Sequence, residues 1–237
     1  MSWPRDMTKN ENLSLFLVSE KHIMSPEFHS RFSWCGGLRK YHVKFGVSNI
    51  TPRSIGNLRE FSDIETGSWY LKSENKLVPV NVENRRSVKL PEWYYKSMCK
   101  LVDHEQGLLI TGRQELLNPP QTAFKTAIQT RYSDLDFNLH LNTAEYYKFC
   151  SDSASMASQS GYYRHFTSDI VHYPVLQIEA SFLGECGPAE HLVVYTWQDE
   201  KDFTKLYFVI HRKEVRIFQA CFIHESKMST DKVISSL

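Results

Sequence analysis

The chain has 237 residues, 41% hydrophobic and 23% charged, enough for one large or two small folded domains and unlike a disordered segment. A formal net charge of +1 leaves no electrostatic case for nucleic acid or an anionic membrane as the principal partner. Five scattered cysteines (Cys35, Cys99, Cys150, Cys186, Cys221) include no CxxC pair, which argues against a disulfide framework or zinc knuckle and for a reducing compartment. No apolar run reaches the roughly 20 residues of a membrane helix. The opening Met1–Met7 lacks a signal-peptide core, and Asp6 and Glu11 are unlike a transit peptide. A soluble intracellular protein is expected, cytoplasmic with mitochondrial as the alternative.

In chain order, Leu13–Val18 is apolar without clear periodicity, and a core helix there stays open. Tyr41–Ser48, Gly56–Ile64 and Ser68–Glu83 read as strands, with a turn at Glu65-Thr66-Gly67. Pro91-Glu92-Trp93 opens a short helix. Asn118-Pro119-Pro120 is strong punctuation, and the domain boundary is placed there, giving units 1–118 and 119–237.

From Thr122 the pattern sharpens. Phe124, Thr126, Ile128, Thr130 and Tyr132 alternate with Lys125, Ala127, Gln129 and Arg131, a strand signal. A helix begins near Asn142, capped by Asn142 or Thr143 with Glu145 as a capping-box acid; Tyr147, Cys150, Ala154 and Ala157 form its apolar face and Gly161 its stop. Leu176–Phe182, His191–Gln198, Lys205–Arg212 and Val215–His224 then read as four strands with short connections. Such strands imply an antiparallel sheet with one helix buried against it, the hot-dog arrangement within an α+β class.

Between strand and helix lies Ser133-Asp134-Leu135-Asp136-Phe137-Asn138-Leu139-His140-Leu141-Asn142. If extended, Asp134, Asp136, Asn138 and His140 would share one face, next to a helix N-terminus able to stabilise an oxyanion. A carboxylate or His there could deprotonate water, and an Asn amide could hold a water or carbonyl. Spacing alone fits a polar turn before a helix equally well, since Asp and Asn are ordinary turn and cap residues.

The string Arg131–Asn142 closely resembles the R-x-S-D-L-D-x-N-x-H-x-N segment of acyl-ACP thioesterases. Leu176–Gly187, ending Gly184-Glu185-Cys186-Gly187, resembles the family strand that ends in Arg-Glu-Cys-Gly, and Val80–Arg86 with Leu90-Pro91-Glu92 is similar to the end of the family's first hot dog. The resemblance implies a tandem (double) hot-dog fold with the catalytic set in the second unit. It implies Asp136, Asn138, His140 and Glu185 as catalytic residues: His140 and Glu185 preparing the attacking water, Asp136 and Asn138 orienting groups around the thioester. Glu185 as covalent nucleophile is the alternative within that set. The adjoining Cys186 is an alternative nucleophile; neighbours on a strand face opposite sides, so Glu185 and Cys186 are not both expected in the site.

This sequence departs from the family at Thr143, where a second Asn is usual, and at Gly184, where Arg is usual. Extra residues at Tyr162–Val171 suggest a loop near the cleft mouth, and the short first half leaves open whether its hot dog is complete. The expected activity is hydrolysis of a fatty acyl-CoA or acyl-ACP thioester to free acid and thiol, with CoA the favoured carrier. No metal or organic cofactor is implied. The rivals are a non-catalytic acyl-CoA or lipid-binding hot-dog protein and, further off, a hot-dog dehydratase. A monomer containing its own pseudo-dimer and a homodimer are both compatible.

Overall fold

The computed structural model describes residues 12–31, 40–102, 107–112 and 114–227; Cys35 and the N-terminal segment lie outside them. The chain divides into two compact units, Met1–Ser25 with Gly37–Arg113 and Pro26–Gly36 with Gln114–Leu237. No helix among the described residues is long and apolar enough to cross a membrane, and the described cysteines, Cys99, Cys150, Cys186 and Cys221, are all free.

In the first unit β1 (Leu13–Met24), β2 (Tyr41–Thr51), β3 (Ser54–Asp63) and β4 (Trp69–Asn81) form an antiparallel sheet in the order β2-β3-β4-β1. Leu13–Val18 is thus strand, not helix. A register shift between Leu17 and Ser19 in its pairing with β4 breaks the period-two signal there, as a β-bulge does. The turn after β3 is built by Asp63, whose Oδ1 accepts from the Glu65 and Thr66 amides at 2.8 and 2.9 Å, while Gly67 supplies φ +71°. Asp63 Oδ2 also accepts from the Tyr70 hydroxyl.

A short helix, α2 (Glu92–Cys99), begins after Pro91 and packs Tyr94 with Leu90, Val47 and Ile55 into a small core. The helix following β1, α1 (Pro26–Arg31), has six residues and is grouped with the second unit. The counterpart of the second unit's long helix is therefore much reduced among the described residues of the first half.

The second unit has the sheet order β6-β9-β8-β7-β5, all antiparallel: β5 (Phe124–Gln129), β6 (Val175–Phe182), β7 (His191–Gln198), β8 (Lys205–Arg212) and β9 (Val215–His224). Alternate residues of these strands (Leu192 and Val194; Leu206, Phe208 and Ile210; Phe218, Ala220 and Phe222) enter one core with the 17-residue helix α3 (Thr143–Gln159). That helix buries Tyr146, Phe149, Cys150, Ser153, Ala154 and Ala157, a stripe at helical spacing. Small residues in its second half bring its backbone close to the sheet, and Ser153 meets Thr126 of β5 through a 2.9 Å hydroxyl pair, so the buried hydroxyls are satisfied. The fold is that of hot-dog proteins.

The residues after α3 form a loop of turns and bends up to a 3-10 turn at Ile170–His172, and this loop packs inward. Tyr163, Phe166 and Ile170 are buried in the core, the Tyr163 hydroxyl pairs with that of Thr196, and Asp169 accepts from Ser155 and Gln159 of α3. Three large apolar side chains at this spacing were enough to fold the extra residues inward.

One buried acid ties the first unit together. Glu74 of β4, 3% exposed, accepts from the Leu109 and Ile110 amides at 2.7 and 2.8 Å through Oε2, and its Oε1 accepts from Ser48. We expect Glu74→Ala to cost about 2–4 kcal/mol, since three donors lose a charged acceptor; denaturant unfolding followed by tryptophan fluorescence would measure it, and a loss below about 0.5 kcal/mol would contradict this account.

Candidate active site

The segment from Arg131 to Asn142 is not extended. A 3-10 turn at Tyr132–Asp134 leaves β5, and a bridge between Leu135 and Leu141 closes the rest into a tight loop. The four side chains at spacing two therefore have separate tasks. Asp134 is buried and accepts from the Arg131 amide at 2.8 Å and the Arg131 guanidinium at 3.2 Å. Burial pushes its carboxyl up, but the Arg131 N–H groups and charge outweigh this and hold it below the usual range. Its carbonyl also accepts from the Asn142 amide, so the turn and the helix cap form one piece.

Asp136 turns its carboxylate back on its own loop: Oδ1 accepts from the Asn138 amide at 2.8 Å and the His140 amide at 3.2 Å. Its backbone N–H donates to the His140 carbonyl at 2.8 Å. Leu139, at the loop apex, has φ +59°, a left-handed conformation that a leucine adopts only when its surroundings impose it. Asn138 is exposed on this loop. Asn142 caps α3 by accepting from the Ala144 amide at 3.0 Å, and its carbonyl accepts from the Glu145 amide. These two amides are thus engaged, and the expectation of an oxyanion site made from the first turn of the helix is correspondingly narrowed. Glu145 pairs with Lys148 at 2.7 Å instead of closing a capping box.

The second segment follows β6. The Leu141 amide donates to the Cys186 carbonyl at 2.8 Å, and this joint brings His140 beside Glu185: Nε2 lies 3.8 Å from Oε2, with side chains 34% and 40% exposed. That is an ion-pair distance, longer than a direct hydrogen bond. Arg212 at the end of β8 clamps the segment, donating to the Glu185 carbonyl at 2.8 Å and pairing with Glu190 at 3.2 Å. Thr130 completes the clamp, its hydroxyl donating to the Gly187 carbonyl and accepting from the Glu190 amide. At Gly184 a Cβ would stand 3.1 Å from Ile217 Cγ2, and the Leu183 and Gly184 amides both donate to the Ile217 carbonyl.

Cys186 faces inward. It is 1% exposed, its thiol lies 3.6 Å from the Gly187 carbonyl, and burial, reinforced by Glu190, pushes it up to about 11. A thiol so placed is protonated at neutral pH and a poor nucleophile. His165, His172 and His191 lie on other segments: His165 stacks on Phe203, and His191 is exposed at the start of β7.

The structure thus brings together His140 and Glu185, with Asp136 shaping the loop that carries one and Arg212 the segment that carries the other. Arg212, Glu190 and Thr130 are not recognisable from sequence spacing. They reach the site only through sheet register, and the one local signal is a charged residue closing an apolar strand. Among the described residues no group of His, Cys, Asp and Glu could hold a metal ion.

Residues 117–224 match the family model of the acyl-ACP thioesterase C-terminal domain. Among solved structures, the 12:0-ACP thioesterase from Umbellularia californica is similar over 93% of this chain and 78% of its own, at 13% identity and TM-score 0.73. An acyl-ACP thioesterase from Bacteroides thetaiotaomicron is similar over 91% and 78%, at 14% identity and TM-score 0.67. No curated protein matches by sequence. The structural likenesses establish the hot-dog fold, and the family match covers both site segments, Arg131–Asn142 and Gly184–Gly187.

The Asp134–Arg131 pair gives a test with a definite sign. A carboxyl held below its unfolded value contributes stability above about pH 4 and loses it as the pH falls through the depressed folded value. We expect Asp134→Asn to cost about 1–3 kcal/mol at pH 7, with the gap to wild type closing below about pH 4. Urea unfolding at both pH values would show it; a gap that widens in acid would reverse the assignment.

Proposed function

We propose that this chain hydrolyses a fatty acyl thioester held on a phosphopantetheine arm, as in acyl-CoA or acyl-ACP, to the free fatty acid and the carrier thiol. The observation that carries the reading is the His140–Glu185 pair at 3.8 Å, each half exposed, on two segments that are joined by a backbone hydrogen bond. A water at hydrogen-bond distance, about 2.8 Å, from both Nε2 and Oε2 fits beside such a pair.

In this reading the water oxygen attacks the thioester carbonyl carbon as its proton passes to the His140–Glu185 pair. The carbonyl π electrons move to oxygen, and collapse of that intermediate expels the thiolate, which takes the proton back. Glu185 stabilises the imidazolium that forms in between. Asp136 acts by fixing the His140 backbone, and Asn138, exposed on the same loop, offers its amide to the carbonyl oxygen. Glu185 acting as covalent nucleophile would need the same residues and would form a mixed anhydride with loss of the thiolate; trapping that anhydride with hydroxylamine, which converts Glu185 or the acyl group to a hydroxamate before any water adds, separates the two.

Acyl chain length and carrier are open to direct comparison: matched acyl-CoA and acyl-ACP substrates over a range of lengths, with thiol release as readout. The reading includes an intracellular setting, cytoplasmic or mitochondrial, and is compatible with a monomer or a homodimer. We expect His140→Ala and Glu185→Ala to lower kcat/KM by about 10²- to 10⁴-fold, the usual contribution of a positioned acid–base group. Cys186→Ala should stay within about threefold of wild type, because its thiol is buried and protonated. Should the protein bind acyl-CoA yet release no thiol at any chain length, the non-catalytic lipid-binding alternative would stand instead.

A further inference from the structure

β6 ends at Phe182, and the segment after it has no regular structure, yet each carbonyl from Gly184 to Gly187 is held by a different element. The Gly184 carbonyl accepts from the Tyr146 hydroxyl of α3 at 3.5 Å, the long limit of such a bond. Those of Glu185, Cys186 and Gly187 accept at 2.8 Å from Arg212, the Leu141 amide and the Thr130 hydroxyl. Only Arg212 among these donors is charged, and it grips the main chain of the residue proposed to work through its carboxylate.

The guanidinium has a carboxylate of its own. Leu192 pairs with Arg212 across β7 and β8, and this register brings Glu190, two residues before Leu192, to the arginine. Arg212 Nε lies 3.2 Å from Glu190 Oε2 and Nη1 lies 3.3 Å from Oε1, a fork-to-fork pairing. The same Oε1 accepts from the Gly187 amide at 3.2 Å, and Ala189, with φ +55°, turns the chain back between them. The Tyr146 hydroxyl senses the whole group. Burial above all holds it well above the ordinary tyrosine range, Cys186, Glu185 and Glu190 push the same way, and Arg212 pulls it down. Both carboxylates and the guanidinium therefore act on one point, where a guanidinium without Glu190 would be drawn to the Glu185 carboxylate.

We propose, resting on the hydrolytic reading above, that Arg212 and Glu190 are a positioning pair: Arg212 fixes the Glu185 main chain, and Glu190 occupies the guanidinium fork, so that the Glu185 carboxylate is left for His140. Both act through Glu185 and not on the substrate. A guanidinium engaged in this way is a poor hold for a carrier phosphate, the rival role for an arginine in such a site.

The test compares Arg212→Gln, Glu190→Gln, the double variant and Arg212→Lys in the intact chain, reading acyl-CoA turnover and the ring ¹⁵N resonances of His140. Glu190→Gln keeps an acceptor for the Gly187 amide and removes only the charge. We expect Arg212→Gln to lower kcat about 10- to 100-fold, the effect of misplacing a reacting group by about 1 Å, with KM within about twofold. Glu190→Gln should lower kcat about tenfold by freeing the guanidinium for Glu185. Because that effect needs Arg212, the double variant should be no slower than Arg212→Gln alone. Arg212→Lys should recover part of the loss, since an ammonium can reach the carbonyl but has no fork. The His140 resonances, read without substrate, should move in both single variants. A KM that rises about tenfold in Arg212→Gln with kcat unchanged would assign Arg212 to carrier binding and overturn the proposal. So would losses that multiply in the double variant, or a Glu190→Gln protein with wild-type kcat and unmoved His140 resonances. If Arg212→Gln does not fold, Glu190→Gln decides alone. If the wild type releases no thiol, the hydrolytic reading fails and the His140 resonances still decide the pair: moved by Glu190→Gln they support it, unmoved they overturn it.

Discussion

Everything proposed for the site depends on one backbone hydrogen bond, from the Leu141 amide to the Cys186 carbonyl at 2.8 Å. The two segments it joins are 45 residues apart in sequence (186 minus 141), and neither is a regular strand or helix where they meet. Backbone groups at such a junction must find partners or be left unsatisfied. Once Leu141 is fixed to Cys186, the preceding residue and the residue before Cys186 become neighbours, and these are His140 and Glu185. Asp136 on one side and Arg212 on the other remove the remaining freedom. The pair is positioned by main-chain geometry first and by side-chain chemistry second, which suits groups that stay half exposed to meet a substrate.

That division of labour also explains what could be read from the sequence. The second unit's strands were legible because each has one face on a single core, so Leu192 and Val194, or Phe218, Ala220 and Phe222, recur at the period of the pleat. The helix was legible because its cap, Asn142, directly precedes a stripe of buried residues. β1 was not, because its pairing shifts register between Leu17 and Ser19 and period two fails over such a shift. In the motif, residue identities were more informative than spacing. Alternation implied four side chains on one face, whereas Asp134 and Asp136 are spent on local backbone and Arg131. Asp and Asn so often close turns in this way that only tertiary contacts reveal which polar residue remains for substrate.

α3 connects two parts of the second unit. Its N-terminal end is locked to the motif loop through Asn142, and its later turns, through Ser155 and Gln159, hold Asp169 and so the segment that follows the helix. A single helix of 17 residues packed by Ala154 and Ala157 against the sheet is stiff enough to keep these parts in fixed register. The inward-folded residues after it add aromatic bulk, Tyr163 and Phe166, to a core that would otherwise end at the helix.

The contact between Gly184 and Ile217, where an added Cβ would lie 3.1 Å from Cγ2, makes the two positions one unit of variation. A side chain at 184 must either displace Ile217 or move the segment that carries Glu185, and the 3.8 Å pairing with His140 leaves little room for the second. An Arg at 184, the residue usual in the resembling family, asks the side chain at 217 to give way by a few tenths of an ångström. Among relatives that share the fold, the residue preceding the glutamate and the one opposite it on the last strand should change together, so that β9, far from any reacting atom, carries a trace of which residue stands next to the acid.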